Sequence, residues 1–152
     1  MILAIDPGET VGIAWISFEG QTYDIQELPV DEFFEWLARQ VDPERPYFVG
    51  PIVIEDYRLL RGKQMQQTGS TFPAVQVIGA ARLAARVSGV ELVTQSPQIL
   101  RLTEMHMHWP VHAPTSHVPD YLSAQLHALH YMETQGISTA RLRELNPVIL
   151  KP

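Results

Sequence analysis

Three acids and one histidine in this sequence occupy positions that stability alone does not explain. Asp6 closes the apolar run Ile2-Leu3-Ala4-Ile5 and leads into the turn Pro7-Gly8-Glu9-Thr10-Val11-Gly12. Glu55 closes a second apolar run, Ile52-Val53-Ile54, with Asp56 beside it. Asp120 and His117 are three residues apart where the last strong helical pattern begins. An ionised carboxylate at the tip of a buried strand is costly unless a cation or a donor offsets its desolvation. Three oxygen donors and an imidazole, delivered from three distant segments, suit a divalent ion better than an ion pair. Carboxylates held a few ångströms apart repel one another, and a bound Mg²⁺ removes that cost while supplying a Lewis acid. Two such ions, about 4 Å apart, activate a water and stabilise a leaving oxygen in an in-line displacement. Asp6, Glu55, His117 and Asp120 are thus the candidate catalytic and metal-binding set, and phosphodiester hydrolysis is the reaction they suggest.

The elements that must bring these residues together follow from the apolar patterning. Residues 1–6, 11–18 and 22–28 read as three strands with short connections, an antiparallel meander. From Val30 to Val41 the residues Phe33, Phe34, Trp36, Leu37 and Val41 recur at helical spacing, with Asp31 and Glu32 at the electropositive start and Asp42-Pro43 as the stop. A helix before the fourth strand, within residues 47–57, demands a crossover, so that strand can lie parallel to the first. Asp6 and Glu55 would then emerge side by side at the carboxyl ends of neighbouring strands, where sites of such sheets form. Alternation alone leaves open whether Glu55 or Asp56 faces the site. A helix from Pro73 to about Ser88, ended by Gly89, precedes a fifth strand at 90–94. A short helix is expected over 97–104, then an irregular Met- and His-rich segment. The last strong helix is expected from about Ser116 to Thr134, ended by Gly136, with Ser138 capping a final short one. The first turn of that strong helix would carry His117 and Asp120 together, with Pro119 tolerated there.

The chain has 152 residues, 45% of them hydrophobic, enough for one domain spanning 1–152 with a real core. It has no cysteine, which excludes disulfides, thiolate metal sites and thiol nucleophiles. No leader pattern and no stretch of about 20 apolar residues is present, so a cytoplasmic protein without membrane contact is expected. The formal net charge is -6, but the charges are segregated. Residues 19–44 hold the acids Glu19, Asp24, Glu27, Asp31, Glu32, Glu35, Asp42 and Glu44 against Arg39. Residues 58–101 hold Arg58, Arg61, Lys63, Arg82, Arg86 and Arg101 against Glu91. One side able to attract phosphate is compatible with the acidic total. Arg58, Arg61, Lys63 and Gln64, in the long polar loop after Glu55, are the candidate DNA-binding residues, gripping the backbone rather than reading bases.

The succession Ile-Asp-Pro-Gly, a second strand carrying Gly12, Val-Ile-Glu after a helix, and His-x-x-Asp at a closing helix resembles the RuvC-type Holliday junction resolvases, particularly short phage-encoded ones. The resemblance spans most of residues 1–135, including Val77-Ile78-Gly79-Ala80 and Gln95-Ser96-Pro97. It implies an α/β, ribonuclease H-like fold: a five-stranded mixed sheet, antiparallel meander plus parallel strands, flanked by helices. It implies a homodimeric, Mg²⁺- or Mn²⁺-dependent endodeoxyribonuclease that resolves four-way junctions in recombination, repair or phage DNA debranching, in a bacterial or phage-infected cytosol. It assigns the metal-binding acids to Asp6, Glu55 and Asp120, prefers Glu55 to Asp56, and sets His117 where the family has an acid or a histidine.

Competing readings are a branched-DNA binder of the same fold that does not cut, and a ribonuclease H-like nuclease acting on flaps or RNA-DNA hybrids. An actin-like or sugar-kinase phosphate turn also fits Asp-x-Gly-x-Thr, but those enzymes need two such domains. His106, His108 and His112 form a weak zinc candidate. His127 and His130 read as surface or core residues, Trp36 and Phe34 as core, and Tyr121 as packing on the sheet. The small-residue face of Ala80, Ala81, Ala84 and Ala85 suits either a dimer contact or burial on the chain's own sheet.

Overall fold

Strand pairing follows from the apolar runs, each of which alternates between the two faces of one sheet. The computed structural model describes residues 1–42, 45–46, 50–56, 72–109 and 118–147. The elements are β1 (Ile2–Asp6), β2 (Thr10–Ile16), β3 (Thr22–Pro29), α1 (Val30–Gln40), β4 (Val41–Asp42), β5 (Arg45–Pro46), β6 (Ile52–Glu55), α2 (Pro73–Ser88), β7 (Leu92–Gln95), α3 (Ile99–Met107), α4 (Asp120–Thr134) and α5 (Thr139–Leu145). The main sheet has the order β3-β2-β1-β6-β7. β1, β2 and β3 pair antiparallel, whereas β6 runs parallel to both β1 and β7. This is the expected meander extended by parallel strands. The small β4–β5 ladder was not expected from the sequence.

Side-chain parity divides the core into two layers. Ile2, Ala4, Ala14, Ile16 and Val53 pack with Ala124, Leu126, Ala128 and Leu129 of α4, together with Met107 and Leu142 from α3 and α5. Leu3, Ile5, Val11, Ile13, Ile52 and Ile54 face the other way, against Phe33 and Leu37 of α1 and Val77, Ala81, Ala84 and Ala85 of α2. The alanines of α2 therefore bury on the chain's own sheet, while Val75, Leu83 and Val87 of the same helix are exposed. Trp15 of β2 meets Trp36 of α1 edge-on with ring centroids 6.2 Å apart, an aromatic contact that ties α1 to the sheet. Among the described residues no helix is long and apolar enough to cross a membrane.

The helix ends obey local chemistry. α2 stops at Gly89, whose φ of 68° is a left-handed conformation that glycine adopts without strain. Ser138 caps α5 by accepting from the Arg141 amide at 3.3 Å. α3 runs further than expected, through Met105, His106 and Met107, because Met107 is buried against the α4 layer and tertiary packing extends the helix. α4 starts later than expected, at Asp120, with Pro119 as its cap residue at φ -54°, ψ 138°. Proline disfavours helical geometry in the residue before it, which keeps Val118 out of the helix. His117, expected in the first turn of this helix, lies outside the described residues.

Candidate active site

The same parity that builds the core aims the acids. On β1, Ile2, Ala4 and Asp6 share the α4 face, and on β6, Val53 and Glu55 do the same. Glu55, rather than Asp56, lines the resulting cavity. That cavity, about 560 Å³ in volume, is bounded by Asp6, Gly8, Thr10 and Glu55 at the strand ends, Pro97 and Leu100 beyond β7, and Val118, Asp120 and Ser123 from the start of α4. The structure thus brings Asp6, Glu55 and Asp120 around one pocket at the carboxyl edge of the parallel strands. Arg58, Arg61, Lys63 and Gln64 lie outside the described residues.

Gly12 explains how α4 comes so close. It pairs with Asp6 across β1 and β2, and a Cβ at this position would overlap the backbone carbonyl of Asp120. No other residue leaves room for the helix start at this spot. Glu27, which pairs with Gly12 on the far side, accepts a hydrogen bond from the Tyr121 amide at 3.3 Å. With no side-chain cap from Pro119, this carboxylate satisfies a first-turn amide and favours the positive end of the helix. A row of three registered residues, Asp6, Gly12 and Glu27, therefore seats the first turn of α4.

Electrostatics in the pocket are unfavourable to charge. Burial chiefly, then the Glu55 carboxylate and more weakly that of Asp120, push the Asp6 pKa up to about 7 from 3.8. The nearby Ser123 hydroxyl opposes this shift. Its Oγ is buried yet makes no hydrogen bond of ordinary geometry, so Ser123 acts on Asp6 as a close dipole rather than as a formed bond. Among the described residues, no group of three His, Asp or Glu side chains is drawn tightly enough to hold a metal ion. The fourth candidate, His117, is outside the described set.

One residue of the site was missed by sequence reasoning. His127, read there as an ordinary surface or core histidine, is fully buried and places Nε2 at 3.0 Å from Glu55 Oε2 and Nδ1 at 2.8 Å from Gln95 Oε1. Its signal was available: Asp120, Ser123 and His127 sit at i, i+3 and i+7, one stripe of a helix. His106, by contrast, contacts Glu133 at 3.2 Å, His108 is exposed at the end of α3, and His112 lies outside the described residues.

No protein-family model matches the sequence, and no curated protein matches it. Solved structures do. RuvC of T. thermophilus in complex with a Holliday junction substrate superposes with a TM-score of 0.58 at 14% identity, over 89% of this chain and 94% of that one. A second Thermus thermophilus RuvC structure gives 0.53 at 17% identity, over 89% and 95%. The fold is RuvC-like and ribonuclease H-like. At such identity the likeness concerns the path of the backbone.

Proposed function

We propose that this chain is a metal-dependent, structure-selective endodeoxyribonuclease that resolves four-way DNA junctions or related branched DNA. One observation carries the reading: acids from β1, β6 and α4 converge on a single pocket at the carboxyl edge of a RuvC-like sheet. The donor set fits Mg²⁺ or Mn²⁺, because it consists of carboxylate oxygens and the buried Ser123 hydroxyl lacks a partner. The upward shift of Asp6 is the electrostatic deficit that a dication relieves. Asp6, Glu55 and Asp120 would hold the metal, probed as a pair of ions, with His117 as the further ligand. When bound, such ions supply Lewis-acid stabilisation of a phosphate and a water of lowered pKa.

The protein's own contribution is placement. Gly12 and Glu27 fix the start of α4, so that Asp120 stands over Asp6 rather than in solvent. The strand pair β1–β6 fixes Asp6 beside Glu55, and Pro97 and Leu100 wall the pocket on the β7 side. Arg58, Arg61, Lys63 and Gln64, which follow in sequence after the Glu55 strand, are proposed to grip backbone phosphates. A four-way junction is the substrate favoured because the similar RuvC structure is described as a complex with one. Paired incision at a two-fold substrate calls for a two-fold enzyme, and the exposed apolar residues Val75, Leu83 and Val87 of α2 are the surface proposed for a homodimer.

The test is incubation of purified protein with labelled four-way junction, linear duplex, flap and RNA-DNA hybrid in Mg²⁺, Mn²⁺ or chelator. Symmetric incision of the junction in metal, and none in chelator, is expected. Binding of the junction without incision in either metal would contradict the nuclease reading, and preference for flap or hybrid would redirect its substrate.

A further inference from the structure

The buried stripe of α4 includes a contact that the convergence of acids does not require. His127 has no exposure at all, and its two ring nitrogens address side chains from two neighbouring parallel strands. Those side chains, Glu55 and Gln95, are register partners across β6 and β7. The Gln95 backbone carbonyl also receives the Asp56 amide at 2.6 Å, which ties down the backbone on both sides of the contact. An ionised carboxylate only accepts hydrogen bonds, so Nε2 carries the hydrogen toward Glu55 Oε2. The Nδ1 contact closes in either protonation state. An imidazolium donates to the Gln95 amide oxygen, and a neutral ring accepts from the same amide turned end for end, two arrangements of equal shape.

We propose that His127 is the positioning residue of Glu55: it occupies one carboxylate oxygen, Gln95 fixes the plane of its ring, and the carboxylate is presented to the pocket in a single orientation. The inference rests on the divalent-metal reading of that pocket and deepens it. Glutamate is a long side chain whose last torsion is soft, and a ligand left to rotate loses part of its affinity to ordering. A buried donor from the helix that also delivers Asp120 and Ser123 couples the orientation of Glu55 to the seating of α4. Partners of this kind, bonded to a metal's ligand, typically contribute about 10- to 100-fold in metal affinity.

Calorimetric titration with Mn²⁺ of wild type, His127→Ala, His127→Gln and Gln95→Leu, alongside imidazole ¹⁵N spectra of metal-free wild type and Glu55→Gln, tests this. The expected result is Mn²⁺ affinity lowered about 10- to 100-fold in His127→Ala and largely restored in His127→Gln, which keeps an N–H for Glu55. Incision by His127→Ala is expected to recover at saturating Mn²⁺, so that the loss lies in metal requirement and not in turnover. Gln95→Leu, expected to weaken affinity less, carries the comparison where His127→Ala fails to fold. Wild-type affinity in folded His127→Ala, or equal loss in the Ala and Gln variants, would overturn the proposal. A wild type that takes up no Mn²⁺, yet shows a protected Nε2–H signal that shifts in Glu55→Gln, sinks the metal reading while supporting the orientation of Glu55. Absence of hydrogen on Nε2 sinks the orientation itself.

Discussion

Replacing Asp6 with asparagine is expected to stabilise the metal-free protein at alkaline pH and to leave it unchanged in acid. Burial and the neighbouring acids raise the Asp6 pKa from 3.8 to about 7. The sign follows from linkage: the folded state binds the proton more tightly than the unfolded chain, so stability is complete below pH 4 and declines as pH rises through about 7. At about 1.4 kcal/mol per pKa unit, the full shift corresponds to about 4 kcal/mol by pH 8. Local relaxation and water entry reduce this, and a gain of about 2–4 kcal/mol for Asp6→Asn at pH 8 is the working expectation. For a chain of this length each kcal/mol moves Tm by about 2–4 °C, so the variant should melt roughly 5–15 °C higher. The assay is thermal unfolding of both proteins in chelator at pH 4 and pH 8, followed by circular dichroism. Equal melting temperatures at pH 8, or a less stable variant there, would refute the claim that ionised Asp6 is a strained group awaiting a cation. Incision by the same variant is expected to vanish, which would set stability against activity at one residue.

Gly12→Ala should destabilise the fold by about 1–3 kcal/mol, the ordinary cost of overpacking, and abolish incision by displacing Asp120; urea unfolding alongside cleavage checks it, and a neutral variant would contradict the close approach of α4. Glu27→Gln keeps an acceptor for the Tyr121 amide but removes the charge at the helix start, so a loss of about 0.3–1 kcal/mol is expected, read from the same urea curves. Alanine at Arg58, Arg61 and Lys63 should weaken junction binding and reduce the steepness of its salt dependence by about one for each phosphate no longer gripped, measured by anisotropy across salt concentrations. The proposed dimer surface on α2 predicts that wild type sediments as a dimer and Leu83→Glu as a monomer, with the thermal melt of the monomer intact.

Much of this architecture was legible because the apolar runs are short, clean and of consistent parity. Ile2 to Ile5 and Ile52 to Ile54 read as strands buried on both faces, and the helix before the second of them allowed the parallel pairing that brings Asp6 beside Glu55. The choice between Glu55 and Asp56 was not available from alternation, since it depends on which face α4 covers. The start of that helix was misjudged because proline at position 119 is compatible with both a first-turn and a cap position, and only packing distinguishes them. The extension of α3 through Met105-His106-Met107 escaped for a related reason: a Met- and His-rich stretch has weak local preference, and burial of Met107 decides it. His127 went unrecognised because a histidine within an apolar helix has a satisfactory explanation as core; its distinction lies in Gln95 and Glu55, far apart in sequence and adjacent only across two parallel strands.

The most direct test of the account is a side-by-side junction assay of wild type and Asp120→Asn in Mg²⁺, with binding followed in the same samples. Asp120 is the acid contributed by the far layer, so the convergence claim stands or falls with it. Both proteins are expected to bind the four-way junction comparably and only wild type to cut it, with cutting lost on chelation. Incision by Asp120→Asn at the wild-type rate, or wild-type incision that survives chelator, would contradict it.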